Sequence, residues 1–501
     1  MHDIFHELAQ SVAEKECAVI DPFEFSKRHE TATNHGSIRH SSLLPSLAKS
    51  NITVEGQLFH GQDLRTLLVI ERSCNETDGN YLYVKIPHDL FLLLECLRAL
   101  DLSNTNISQI PESIGNLVHL RYLGLKNTKL KRIPESICGL LNLQTLDLKH
   151  SCYLTELPRG IRYLVNLRHL ELPIMEFPSI SIPSELELLT NLQTLNALYL
   201  GENSIDCGIG GLHSLVNISG ELLISGLMNV RHVQDAVSAN MRGKTKLQKL
   251  VLKWWSLSAR LQHLDAQTSY MVLDNIQPQP NLEELILSGY YGDKFPPWLG
   301  GCHFIKLVKV VLEGCENCCE LPSLGQLPCL KHLVIMQMEK VQVVGREFIG
   351  QNIEHTRGFP ALETLDIRKM YDLEIWYGVE DGDFPLLRVL NISGCSKLRK
   401  LPRFSSLVNL KIQSCEQLFD LPVLPMLKYL KLEGFDKVMQ LPQLPNLSSL
   451  EILEVSCCKK LLSIGRLEHL VALQLLKISK CPMLQFARDE PSQSCSSCAY
   501  A

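Results

Sequence analysis

Short hydrophobic cassettes alternate with polar connections along most of the chain. Leu97-x-x-Leu100-x-Leu102 recurs as Leu120-x-x-Leu123-x-Leu125, Leu143-x-x-Leu146-x-Leu148 and Leu167-x-x-Leu170-x-Leu172, at spacings of 23, 23 and 24 residues. An Ile/Leu-Pro step follows three of them, at Ile110-Pro111, Ile133-Pro134 and Leu157-Pro158. Downstream the cassette returns less regularly, from Leu247/Leu250/Leu252 through Leu307/Val310/Leu312 and Leu407/Leu410/Ile412 to Leu473/Leu476/Ile478. Alternate apolar positions over so few residues predict a short strand with one buried face. One such strand cannot bury its leucines alone, so neighbouring copies must stack and share a core.

The period identifies a leucine-rich repeat. The predicted fold is an α/β solenoid, a horseshoe with a parallel β-sheet on its concave side, preceded by a short helical segment. Residues 97–485 form the repeat domain, with an irregular stretch near 173–246 and a helix expected at Val233–Met241. Residues 36–96 carry only degenerate cassettes and read as irregular first repeats. Residues 1–35 begin with a helical pattern (Ile4, Leu8, Val12), and residues 486–501 are expected to be a disordered tail. Solenoids grow linearly, so about 400 residues can form one domain.

Composition narrows the function. Leucine supplies 91 of 501 residues, yet the longest apolar run lies around Leu90–Leu94. A membrane span needs roughly 20 apolar residues, so none is expected. The net charge of −5 gives no electrostatic case for nucleic acid. The first residues hold acids and no basic stretch, so no secretory signal is expected. Eighteen cysteines then read as free thiols in the cytoplasm.

Candidate chemistry is thin. His2 and His6 sit at metalloprotease spacing but lack a third ligand, and Gly243-Lys244-Thr245 lacks the first glycine of a phosphate loop. Cys315-x-x-Cys318 and Cys495-x-x-Cys498 have zinc-like spacing. However, Cys315, Cys395, Cys415, Cys458 and Cys481 all fall three residues after the last strand hydrophobe. That shared phase predicts a structural ladder, so neither a metal nor an enzyme activity is expected.

The residue between the last two strand hydrophobes faces the concavity. The series runs Asp101, Gly124, Asp147, Glu171, then Val251, Ile286, Val311, Val334, then Asp366, Asn391, Lys411, Lys431, Glu454, Lys477. On one reading, β-branched residues simply suit exposed strands. On the other, Val251, Ile286, Val311 and Val334 anchor a protein partner while Lys411, Lys431 and Lys477 steer its acidic part.

Several motifs carry a family resemblance. Met1-His2-Asp3 and the following segment resemble the MHD motif of plant nucleotide-binding leucine-rich-repeat (NLR) disease-resistance proteins. Gly220-Glu221-Leu222-Leu223-Ile224-Ser225-Gly226-Leu227-Met228-Asn229-Val230 is similar to a segment of their coiled-coil class, as are Lys294-Phe295-Pro296-Pro297-Trp298-Leu299 and Leu321-Pro322-Ser323-Leu324-Gly325-Gln326-Leu327-Pro328. The resemblance implies a non-enzymatic recognition domain of innate immunity. Its partners would be a pathogen effector or a guarded host protein, and the nucleotide-binding module of its own or another chain. It also implies that His2 and Asp3 contact bound ADP, but only where that module is present. The phosphate loop and its lysine are not in this sequence, so no cofactor is expected in this chain, and ADP or ATP only in a full-length receptor. The alternative is an intracellular repeat scaffold or adaptor unrelated to immunity.

Overall fold

A computed structural model describes residues 16–20, 38–44, 51–54, 63–70, 83–175, 180–201, 206–254, 265–350, 357–380, 382–442, 444, 447–465 and 467–484. His2, Asp3, the expected helix at Ile4–Val12, Cys495, Cys498 and the expected tail lie outside them. The chain divides into two compact units, the first through Asn240 and the second from Met241 onward.

In the first unit, eight parallel strands follow one another in chain order: Cys17–Ile20, His40–Leu43, Thr66–Val69, Ala99–Asp101, Tyr122–Gly124, Thr145–Asp147, His169–Glu171 and Thr194–Leu195. Leu67, Leu100, Leu123, Leu146, Leu170 and Leu195 stand in one register row, all fully buried. Each buried leucine contributes roughly 1.5–3 kcal/mol of transfer free energy, which is why the cassette needs no further signal to form a strand. The Ile/Leu-Pro step explains the return path. Pro111, Pro134 and Pro158 stand at φ −62°, −63° and −64° and open short 3-10 turns at Glu112–Asn116, Glu135–Gly139 and Arg159–Tyr163. The proline ring presets that φ and gives up an N–H that the first turn leaves unpaired in any case.

Two expectations change. Cys17–Ile20 is a strand paired with His40–Leu43, so strand pairing begins inside the segment assigned to a helical remnant. The β-branched Val19 favours that state. The stretch near 173–246 breaks in sequence period but keeps strands, with Ala197–Tyr199 paired to Ser219–Ser225. Buried Asn196 bridges the irregularity: its side chain accepts from Leu172 N at 2.6 Å and donates to Leu172 O at 2.8 Å. The expected helix forms over Val233–Ser238.

The second unit stacks ten parallel strands in chain order: Lys246–Lys253, Glu284–Ser288, Lys309–Glu313, His332–Met336, Thr364–Arg368, Val389–Ser393, Asn409–Gln413, Tyr429–Glu433, Ile452–Ser456 and Leu475–Ser479. A helix over Ala266–Asn275 fills the long connection after the first of these, capped by Asp265, whose carboxylate accepts from Thr268 N at 2.8 Å.

One turn recurs after the strands. Gly289, Gly314, Gln337, Lys369, Gly394, Ser414, Gly434, Cys457 and Lys480 all have positive φ, two residues past the last strand hydrophobe. The left-handed residue aims the next side chain into the core. Those next residues are Tyr290, Cys315, Met338, Met370, Cys395, Cys415, Phe435, Cys458 and Cys481, all but the last fully or nearly fully buried. In the first unit, Asn104, Asn127 and His150 take the same conformation before buried Thr105, Thr128 and Ser151. The position is a hydroxyl ladder in one unit and largely a thiol and aromatic ladder in the other.

Candidate recognition surface

The leucines point into the core, so the residues between them form the opposite face of each sheet. In the second unit that face has three rows. Strand pairing sets Val251, Ile286, Val311, Val334, Asp366, Asn391, Lys411, Lys431, Glu454 and Lys477 side by side in the central row. Val251, Ile286, Val311 and Val334 are each half-buried, while Leu250, Leu285, Val310 and Leu333 beside them are fully buried. The four β-branched residues therefore make a continuous apolar row across four strands, about 14 Å long at roughly 4.8 Å per strand. A polar row flanks it on one side, Lys249, Glu284, Lys309 and His332, and a polar row ending in an apolar residue on the other, Lys253, Ser288, Glu313 and Met336.

The charges do not stand as the linear pattern suggested. Asp366 is buried beneath the Arg368 guanidinium, which pairs with its carboxylate, so it presents no free negative charge. Lys431 Nζ lies 2.6 Å from Glu433, a partner that raises the lysine pKa. Lys477 Nζ lies 3.5 Å from Glu454. These pairs bear on the steering role expected of Lys411, Lys431 and Lys477. Two of the three have their carboxylates on the same face, and only exposed Lys411 shows no ion pair among the described residues. Paired exposed charges project little field beyond about a Debye length of 8–10 Å. The cause is the strand period: Lys431-x-Glu433 and Asp366-x-Arg368 put opposite charges on one face.

The first unit's face is acidic and tightly furnished. Gly124 is buried because Asp101 and Tyr122 cover it: a Cβ there would clash with Asp101 Oδ1 and stand 3.0 Å from the Tyr122 hydroxyl. Burial, then the Asp101 and Asp147 carboxylates, push the Tyr122 phenol up to about 12. Glu171 pairs with Lys149 at 3.2 Å.

The cysteine phase is structural. Each ladder thiol donates to the carbonyl two residues back, at 3.7 Å for Cys315 to Glu313, 3.8 Å for Cys395 to Ser393, 3.4 Å for Cys415 to Gln413, and 3.3 Å for both Cys458 to Ser456 and Cys481 to Ser479. Burial pushes the Cys315 thiol up to about 12, away from the thiolate needed for nucleophilic or metal chemistry. Cys318 instead donates to Gly292 O at 3.2 Å. Among the described residues no three His, Cys, Asp or Glu side chains gather as metal ligands.

Reading one residue per cassette missed the flanking rows. Strand alternation was the available signal, since residues i and i+2 share a face.

Residues 209–338 match the family model described as R13L1/DRL21 LRRs, a segment containing all four residues of the apolar row, and residues 96–117 match the leucine-rich-repeat model. The fold is shared with a leucine-rich-repeat protein of Leptospira interrogans, with a TM-score of 0.51 at 18% identity, covering 91% of this chain and 99% of that one. The chain is thus an α/β leucine-rich-repeat solenoid. It is 35% identical over 432 residues to the putative disease resistance protein At3g14460 of Arabidopsis thaliana, covering 80% of this chain and 28% of that protein. It is 36% identical over 326 residues to the putative disease resistance protein RGA4 of Solanum bulbocastanum, covering 63% of this chain and 31% of that protein. The chain is a leucine-rich-repeat region of the NLR-type plant disease-resistance proteins. It spans about a third or less of the length of either relative. No helix among the described residues is long and apolar enough to cross a membrane.

Proposed function

We propose that this chain is the sensing region of a cytoplasmic defence receptor, and that the apolar row Val251–Ile286–Val311–Val334 anchors a pathogen effector or a modified host protein. The register of that row supports this reading: four half-buried aliphatic side chains are aligned on consecutive strands by the strand pairing. An apolar row rimmed by polar residues is the anatomy of an interface core, and a few such anchors carry most of a binding energy. Lys411 and the acidic face around Asp101 and Asp147 are secondary contacts, the latter suited to a basic surface such as that of a nucleotide-binding module. Binding would favour the receptor state in which the repeats release that module, by the difference in affinity between the two states.

The test is a full-length receptor carrying this chain as its repeat region, expressed in leaves and challenged with a panel of pathogen effectors. The wild-type receptor gives effector-dependent cell death, and Val311→Asp/Val334→Asp abolishes it at unchanged protein level. A variant that accumulates normally and responds in full would refute the assignment.

A further inference from the structure

We propose that the second unit carries another docking surface just past its strand ends, built on Phe419, Met439 and Leu462, and that it takes an acidic segment of a partner protein. This surface is independent of the concave row. The position four residues past the inward-facing Met338, Met370, Cys395, Cys415, Phe435 and Cys458 is held by Gln342, Glu374, Arg399, Phe419, Met439 and Leu462. Backbone hydrogen bonds set these residues side by side: Glu374 N donates to Gln342 O at 2.8 Å, Arg399 N to Glu374 O at 3.1 Å and Leu462 N to Met439 O at 2.8 Å. A parallel bridge between Lys400 and Asp420 does the same for Arg399 and Phe419. Three repeats hold a polar residue here, so the solenoid does not require an apolar one in the next three. Leu418 and Leu461, one residue earlier, already fill the core. Yet Phe419 and Met439 stand 63% and 62% exposed, and Leu462 38%. Contiguous exposed aliphatic and aromatic side chains of this kind mark an interface.

Charge specifies the partner. Three carboxylates lie within four residues of these side chains: Glu416, Asp420 and Asp436. A lysine of the next repeat closes two of them, Lys437 on Glu416 at 2.8 Å and Lys459 on Asp436 at 2.6 Å. Arg399 is closed in turn by Glu374 at 3.4 Å. Exposed Lys400, Arg403 and Lys460 form no ion pair among the described residues, and neither does Asp420. Lys400 and Arg403 belong to the repeat before Phe419, and Lys460 stands two residues before Leu462, so free cations bracket the apolar residues. Three free cations against one free carboxylate suit a segment that sets bulky apolar side chains between acidic ones. A second copy of this chain would bring the same cations to the contact. Attraction to an anionic membrane takes a cluster of about four to eight Lys or Arg, more than stand free here.

The test is a random peptide library displayed on phage, selected on the full chain and counter-selected on Phe419→Gln/Met439→Gln. Gln342 already holds this position in another repeat, so the variant should melt within a few degrees of wild type. The expected winners combine bulky apolar residues with two or more acids. Their affinity falls at least tenfold on Phe419→Gln/Met439→Gln and at least threefold on Lys400→Ser/Arg403→Ser/Lys460→Ser. It stays within twofold on Val311→Asp/Val334→Asp, which separates this surface from the concave row. Winners without an acidic excess, or indifferent to the loss of the three cations, would overturn the acidic partner. A library with no binder that distinguishes wild type from Phe419→Gln/Met439→Gln would overturn the surface itself, as would a fall of about ten degrees or more in that variant's melting temperature, which would make both side chains structural. Two controls test the other occupants. Phe419-dependent flotation with phosphatidylserine vesicles would overturn the proposal in favour of a membrane, and Phe419-dependent dimerisation in sedimentation would do so in favour of a second copy.

Discussion

Cys315 shows what a single position can reveal. Its spacing from the last strand hydrophobe was readable, and the shared phase of five cysteines predicts a ladder. What was not readable is that the phase belongs to the turn rather than to cysteine. Tyr290, Met338, Met370 and Phe435 occupy it too, each delivered inward by a left-handed residue before it. Two outcomes follow at this scale. The neutral Cys315 thiol, with its pKa raised from 9.0 to about 12, contributes stability that is complete below pH 9 and lost as pH rises through 12. The urea midpoint should therefore fall between pH 9 and 11, and Cys315→Val should lessen that fall, as chemical denaturation at several pH values would show. At Lys369, φ +52° strains an exposed side chain. Lys369→Gly removes about 1–2 kcal/mol of left-handed strain against about 0.5–1 kcal/mol of added chain entropy. A gain of roughly half a kcal/mol is expected by the same measurement, whereas a loss would mean that the Lys369 side chain makes a contact worth more than the strain.

Strands were the most legible elements, because a buried leucine row leaves little choice of register. Leu410 is fully buried in Asn409–Gln413, and Lys411 next to it faces outward. Leu410→Ala should cost about 2–5 kcal/mol, and Lys411→Ala under about 0.5 kcal/mol. Equal costs in thermal or urea unfolding would contradict the alternation. The Ala266–Asn275 helix was missed because it interrupts the repeat. Its signal was the Asp265 cap with Thr268 three residues on, and its apolar side is short. Cys17–Ile20 was missed for the opposite reason: four residues without a cassette leucine carry no period. The pairing that neutralises Lys431 was legible in principle as a Lys-x-Glu step, but only once the face and not the cassette is taken as the unit.

Most of the chain was legible as a repeat array and, through its motifs, as a leucine-rich-repeat region of the plant disease-resistance type. Its partner was not, because recognition residues on a repeat face are free to vary without touching the leucine core. The apolar row is the claim on which the functional account stands. The direct measurement is surface plasmon resonance of the purified chain against the effector or host protein that triggers the receptor in leaves, comparing wild type with Val311→Asp/Val334→Asp. Both residues lie outside the fully buried core, so the variant should stay folded, with a melting temperature within a few degrees of wild type. Two buried charges at the centre of an interface should weaken binding at least a hundredfold, about 2.7 kcal/mol. A folded variant that binds within threefold of wild type would contradict the account and move recognition to another part of the chain.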